Sequence, residues 1–156
     1  MKHKLFSLML LMALALLSVA CTAQQASGAS NDTSAAPDVQ DDGVEDQADL
    51  IAALRAVGAE VEPGDTIEQA FFSVPGQILK VNGADVQVFE YESAEAMGTE
   101  ASQVSEDGSS IGTSMVSWVA PPHFFRSGRV LVLYVGDDAA VLDLLEGALA
   151  EQFAGR

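Results

Sequence analysis

The pattern of apolar and polar residues divides the chain into three parts. A short basic start, with Lys2 and Lys4, precedes an apolar run over Leu5–Val19 that is followed by Ala20 and a cysteine. The next stretch is rich in Ala, Ser, Gln and Asp, has almost no large apolar residue and cannot bury enough surface to fold. Beyond it, apolar residues recur with helical and strand periods. We predict a signal peptide over 1–20, a cysteine and disordered acidic tether over 21–45, and one domain over 46–156.

Three helices are predicted from spacing and capping residues. Leu50, Ile51, Leu54 and Val57 share one helix face, with Asp46 or Asp49 as the N-cap and Gly58 as the C-terminal stop. Ser93 is positioned to cap a second helix that runs to about Val104. A third helix, with a wide apolar face, is predicted from Ala139 to about Phe153.

Two hairpins provide the strand signals. Asn82-Gly83 separates two β-rich runs, and this dipeptide suits a tight turn in which both residues adopt positive φ. A second hairpin is predicted around Ser127-Gly128, and its second arm is apolar enough for a central strand covered on both faces. The remaining predicted segments are a short extended piece at 59–62 ended by a turn at Pro63-Gly64-Asp65, an extended segment at 66–72, and a half-buried strand at 114–119.

This order of elements indicates the fold class. Hairpins outnumber alternating strand–helix units, which favours an antiparallel sheet over a parallel one. We therefore predict an α+β domain, with a mainly antiparallel sheet of about five strands and three helices packed largely on one face.

Charge excludes one class of partner. The part of the chain after residue 20 has 23 acidic and five basic residues, so its net charge is −18. Phosphate backbones repel such a chain, and its basic residues form no run, so we expect neither nucleic-acid binding nor a polybasic membrane patch.

The only cysteine, Cys21, is predicted to carry lipid. A single cysteine cannot form an internal disulfide. Leu17-Ser18-Val19-Ala20-Cys21 resembles the lipobox of bacterial lipoproteins, although Ser18 stands where that family usually has leucine. The resemblance implies a diacylglycerol on the Cys21 thiol, cleavage just before it, and further acylation such as palmitate. Two or three acyl chains anchor a protein firmly where one does not.

Candidate catalytic and metal motifs are weak. Gly108-Ser109-Ser110-Ile111-Gly112 matches the G-x-S-x-G string of serine hydrolases, but that mechanism needs a strand before the serine and a helix after it, whereas the reverse is predicted. Asp137-Asp138 is more simply a helix cap with a first-turn acid than an acid–base pair. We predict no catalytic residue, no metal site and no cofactor.

Four residues are named as candidate ligand contacts. Trp118 either packs in the core or lines an apolar groove, and Phe71-Phe72 has the same two interpretations. His123, the only histidine after the signal, is either a turn residue at a strand end or a base or metal ligand. Arg126 and Arg129 either pair with the many acids or bind an anion.

The combination of lipobox, polar tether and one α+β domain is similar to small bacterial lipoproteins of unknown function. Val57-Gly58-Ala59, Val74-Pro75-Gly76 and Gly136-Asp137-Asp138 carry this resemblance within the domain. It implies a lipid-anchored location in the cell envelope, facing outside the cytoplasm, and no activity. We predict a non-enzymatic binding module with an envelope protein as partner. The alternative is a small-ligand or metal-binding accessory protein, or a minor enzyme with a pocket near His123.

Overall fold

A computed structural model describes residues 43–156 of the chain. The predicted signal peptide, Cys21 and the tether up to residue 42 lie outside the described residues. Within 43–156, no helix is long and apolar enough to cross a membrane. The three helices are α1 (Gln47–Ala56), α2 (Ala94–Ala101) and α3 (Ala139–Leu149).

Six strands form one antiparallel sheet, which confirms the predicted α+β class with slightly more strands than expected. The strands are β1 (Val61–Ile67), β2 (Gly76–Val81), β3 (Ala84–Glu90), β4 (Ser110–Ile111), β5 (Ser114–Met115), β6 (Pro122–Ser127), β7 (Val130–Val135) and β8 (Ala154–Gly155). The spatial order of the sheet is β1-β2-β3-β7-β6-β8, and a separate two-stranded ribbon joins β4 to β5.

Both faces of this sheet are covered by apolar groups. Successive residues of β7 alternate between two buried clusters, as the two-residue period of a strand requires. Val130 and Val132 belong to the cluster under α1 and α3, whereas Leu131 and Leu133 belong to the cluster that includes α2. Two of the three helices thus share a face, and β7 is the predicted central strand, buried on both sides.

The Asn82-Gly83 hairpin is confirmed. Asn82 and Gly83 have φ of 49° and 87° and join β2 to β3 with Val81 paired to Ala84. The Asn82 side chain also accepts a hydrogen bond from the Glu60 amide at 2.8 Å, which ties the turn to the start of β1. The second predicted hairpin is formed as well, with Ser127 opposite Val130.

Pro63-Gly64-Asp65 does not form the predicted turn. These residues lie inside β1, where the pairing with β2 shifts register between Pro63 and Thr66. Proline is tolerated there because β1 is an edge strand, and its missing amide falls at the irregularity. The residues that the sequence analysis interpreted as a turn therefore form a β-bulge.

The predicted strand over 114–119 was also wrong in extent. Only Ser114–Met115 is a strand, and the chain is irregular from Val116 to Pro121. The alternating apolar pattern lacks a neighbouring strand to pair with, because β6 begins only at Pro122 and pairs with β7 and β8 instead.

Two helices end earlier than predicted. Helix α2 ends at Ala101, since Gln103 and Val104 bond to Glu100 and Ala101 in tighter turns. Helix α3 ends at Leu149, where Ala150 adopts φ of 67°. The chain then turns back, so Phe153 packs in the cluster opposite α3 and β8 extends the sheet.

Candidate functional site

A row of aromatic rings crosses the sheet face that carries α2. It runs from Phe153 through Phe124, Trp118, Phe71 and Phe72 to Phe89, with neighbouring ring centroids 4.6–6.2 Å apart. Phe124 and Phe89 are fully buried, whereas Trp118 and Phe71 are half-buried. Edge-to-face packing at these distances is favourable for aromatic pairs. Trp118 therefore belongs both to the core and to the surface.

Trp118 is held in one orientation by a hydrogen bond as well as by packing. Its indole Nε1 donates to the Gly108 carbonyl at 2.7 Å. Phe71 and Phe124 each pack edge-to-face against the indole, with ring centroids 5.9 Å from it. A tryptophan fixed by three contacts loses little freedom when a ligand covers its open side.

The loop that carries Trp118 presents apolar side chains to solvent. Met115 is 90% exposed and Val119 is 100% exposed, the two highest values among large apolar residues in the described chain. We call this the Trp118 surface, which consists of Met115, Val116, Trp118, Val119 and Pro121. Single exposed apolar residues are ordinary, but two on one short loop that also carries a half-buried tryptophan favour an interaction site.

A cavity of about 270 Å³ opens beside this surface. Its apolar lining comes from Val116, Trp118 and the segment Ala120–Pro122. Its polar lining comes from Ser109, Asp107 and Arg156. The volume is just below the range of about 300–1,000 Å³ usual for small-molecule pockets, so the cavity suits one large side chain better than a drug-sized ligand.

Asp107 organises the polar side of the cavity. Its carboxylate accepts hydrogen bonds from the Ser109 amide, the Ser109 hydroxyl and the Ser105 hydroxyl at 2.8–3.0 Å. Nη2 of Arg156 lies 3.5 Å from Oδ2 of Asp107. The bonds from Ser109 and Ser105, with a smaller contribution from the Arg156 charge, lower the pKa of Asp107 well below its usual range. The ionised Asp107 side chain therefore stabilises the conformation of the loop from Ser105 to Ser109.

His123 is inaccessible to a ligand in this structure. The side chain is only 6% exposed and lies on the sheet face opposite the Trp118 surface, stacked on Tyr134. Its Nε2 lies 3.0 Å from the Gly136 carbonyl and its Nδ1 lies 2.6 Å from the Gln152 side-chain amide. Both ring nitrogens are therefore occupied, and His123 joins β6, the β7–α3 turn and the segment after α3.

The four candidate contact residues are not brought together. Arg126 lies over the Phe153 ring, with its guanidinium carbon 4.9 Å from the ring centroid. Arg129 lies at the far end of the β6–β7 hairpin, where its Nη2 is 3.2 Å from Asp46 and 2.8 Å from Glu90. Of the four, only Trp118 lines the cavity.

The hydrolase-like string does not form a triad. Ser110 bonds through its backbone to Ser105, and His123 is engaged by Gly136 and Gln152. Asp138 is the N-cap of α3 and accepts from the Ala140 amide, but Asp137 precedes the cap, so the predicted acid in the first turn of α3 is not found. Among residues 43–156, no group of three or more His, Cys, Asp or Glu side chains is arranged to hold a metal ion.

A second groove lies between α1 and α3. Its volume is about 690 Å³, and the residues that line it are mainly small: Gly43, Val44, Glu45, Asp49, Ala52, Ala53, Ala56, Val57, Gly147 and Ala148. Val57, 42% exposed, is its largest exposed apolar side chain. This groove has no aromatic residue and no fixed polar group comparable to Asp107.

Sequence reasoning named Trp118 but missed the rest of its surroundings. Asp107 and Arg156 are 49 positions apart, and the chain brings them together because β8 pairs with β6 and the Gly155 amide bonds the Glu106 carbonyl. The available signal was the pair Pro121-Pro122, which indicates that the apolar residues before it end as an exposed loop. No protein-family model, curated protein or solved structure matches the chain.

Proposed function

We propose that this protein is a lipid-anchored binding module of the bacterial cell envelope, without enzymatic activity, whose contact region is the Trp118 surface. The observation that carries this proposal is the exposure of Met115 and Val119 on the same loop as a half-buried tryptophan whose indole is hydrogen-bonded. Exposed apolar side chains near a tryptophan favour a protein-binding surface, because tryptophan is enriched among the residues that dominate affinity.

The location in this proposal rests on the N-terminal sequence. The basic start, the apolar run and Ala20-Cys21 support export and acylation. A lipid on Cys21 and a polar tether of some 24 residues would give the domain a reach of about 25–30 Å from the membrane. That reach suits contact with another envelope protein.

The alternative of a pocket near His123 has less support. A general base or metal ligand needs a ring nitrogen that substrate or metal reaches, whereas both nitrogens of His123 are within hydrogen-bond distance of other protein groups. The cavity that does open beside β6 faces Trp118 and contains no histidine.

Site-specific crosslinking in intact cells tests the proposal. A photoreactive residue is placed at position 119 or 115 of the full chain, and at position 57 as a control that is also exposed but belongs to the other groove. We expect one reproducible adduct with an envelope protein from 119 and 115 and none from 57. Equal adducts from all three positions would contradict the proposed surface, and Cys21→Ser tests the anchor through loss of membrane attachment.

A further inference from the structure

The charge of the domain favours one chemistry for a partner of the Trp118 surface. Residues 43–156 contain nineteen acidic and five basic residues, a net charge of −14. Each of the five cations is already engaged: Arg55 donates to the Val61 carbonyl, Lys80 pairs with Asp85, Arg129 with Asp46 and Glu90, Arg156 with Asp107, and Arg126 covers Phe153. The field outside the domain is therefore negative, which repels a second copy and anionic lipid alike.

Acidic residues also occur in the two segments whose backbone is bonded to the Trp118 surface. Glu106 and Asp107 come directly before Gly108, whose carbonyl accepts from the Trp118 indole, and Asp107 is paired with Arg156. Asp137 follows Gly136, whose amide bonds the Pro121 carbonyl at 3.0 Å. Glu106 and Asp137 form no salt bridge with any residue the structure describes. An apolar group with cationic neighbours complements this arrangement.

The backbone of the loop adds a third feature. Within residues 43–156, the amides and carbonyls of Ser117–Ala120 have no hydrogen-bond partner, although their neighbours Val116 and Pro121 bond to Ser109 and Gly136. An exposed, irregular segment with unpaired backbone groups is able to pair with an extended chain. Side chains of that chain would then alternate between the cavity and solvent.

We infer that the Trp118 surface binds an extended, positively charged segment of a partner protein, which pairs with Ser117–Ala120 and inserts one apolar side chain into the cavity beside Trp118. This inference rests on the proposed function and names the chemistry of its partner. The cavity of about 270 Å³ holds the apolar side chain. The net negative charge of the domain, to which Glu106 and Asp137 contribute in the neighbouring segments, attracts the basic residues that flank it.

Trp118 reports binding directly, because it is the only tryptophan of the chain. The probes are three short synthetic peptides of lysine and serine with a central leucine, of glutamate and serine with a central leucine, and of lysine and serine with a central glycine. We expect the lysine–leucine peptide to shift Trp118 emission in the full chain, and each of the other two to bind about tenfold more weakly or less. Added salt should weaken the lysine–leucine interaction.

Matched variants locate the interaction. Val119→Asp should weaken binding of the lysine–leucine peptide by about tenfold or more, whereas Val57→Asp, an exposed valine away from the surface, should not. Glu106→Gln with Asp137→Asn should also weaken it, whereas Glu60→Gln with Glu62→Gln, near the far edge strand, should have a smaller effect. Circular dichroism checks that each variant is folded.

Each of the following outcomes would contradict the inference. Equal affinity for lysine and glutamate peptides, or binding that Val119→Asp leaves unchanged, rejects the partner chemistry. An emission shift with neutral phosphatidylcholine vesicles and none with peptides assigns the surface to a membrane. If no peptide binds but position 119 still crosslinks to one envelope protein, the inference fails and the proposed function stands. If position 119 also crosslinks no more than position 57, both fail.

Discussion

At the scale of single residues, the loop before the Trp118 surface depends on one carboxylate. Asp107 accepts three hydrogen bonds from Ser105 and Ser109, and its backbone neighbour Gly108 accepts the bond from Trp118. The ionised side chain therefore orders the carbonyl that orients the indole. Loss of the negative charge on Asp107 should therefore alter the environment of the Trp118 indole and also lower the free energy of unfolding.

Asp107→Asn tests this dependence through pH. Because the folded-state pKa of Asp107 lies below the usual 3.8, the ionised group stabilises the fold above that pH, and the stabilisation is lost as pH falls through 3.8 toward the folded-state pKa. We expect Asp107→Asn to have a lower free energy of unfolding than wild type near neutral pH, and the difference to narrow in acid. Urea unfolding followed by Trp118 fluorescence measures it.

Asp65→Asn is the control for this measurement, since Asp65 is exposed and its side chain forms no hydrogen bond or salt bridge among residues 43–156. It should differ little from wild type at either pH. A difference for Asp107→Asn that stays constant into acid would show that its charge is not the cause.

At the scale of elements, the turn of the β2–β3 hairpin needs a positive φ at Asn82 and is also held by a hydrogen bond from Glu60 to the Asn82 side chain. Asn82 adopts φ of 49°, and its side chain accepts from the Glu60 amide. Asn82→Gly should remove only the bond, at a cost of about 1 kcal/mol. Asn82→Ala should remove the bond and also replace a residue that tolerates the left-handed region by one that does not, at a further cost of about 1–2 kcal/mol. Denaturant unfolding of both variants checks this order, and equal losses would contradict it.

The elements that sequence predicted well are those decided by local chemistry. Asp46 and Ser93 cap α1 and α2, and Asn82-Gly83 forms its hairpin, because each of these residues acts on its own neighbours. The predictions that were wrong concern segments whose conformation depends on strands that are distant in sequence. Pro63-Gly64 is a bulge because β2 lies beside it, and Phe153 leaves the helix because β8 pairs with β6. For the same reason Trp118 was identifiable from sequence, whereas its cavity with Arg156 was not.

At the scale of the whole molecule, the fold carries an excess of like charge. With a net charge of −14 and its cations engaged internally, the described domain has many unpaired carboxylates that repel one another. Self-repulsion of this kind destabilises a compact state, and salt screens it over about 10 Å at 0.1 M ionic strength.

We therefore expect the melting temperature of the full chain to rise with sodium chloride between low and physiological ionic strength. The variant Glu60→Gln with Glu62→Gln, which removes two charges near one edge of the sheet, should melt higher than wild type at low salt and should gain less from added salt. Differential scanning calorimetry measures both effects. A melting temperature that falls with added salt would show that the few internal ion pairs outweigh the repulsion.

The pairing of β3 with β7 has a consequence for how quickly the native state is reached. Both the β2–β3 and the β6–β7 hairpins join neighbouring segments, and such units form in about 1–10 μs. Glu90 and Val130 must then meet, although residues 91–121 separate the two hairpins and include α2, the β4–β5 ribbon and the Trp118 surface. Bringing the ends of that segment together lowers the conformational entropy of the chain before packing contacts offset the loss. We expect the docking of two preformed hairpins to limit the folding rate, with the loop that carries Trp118 ordered last.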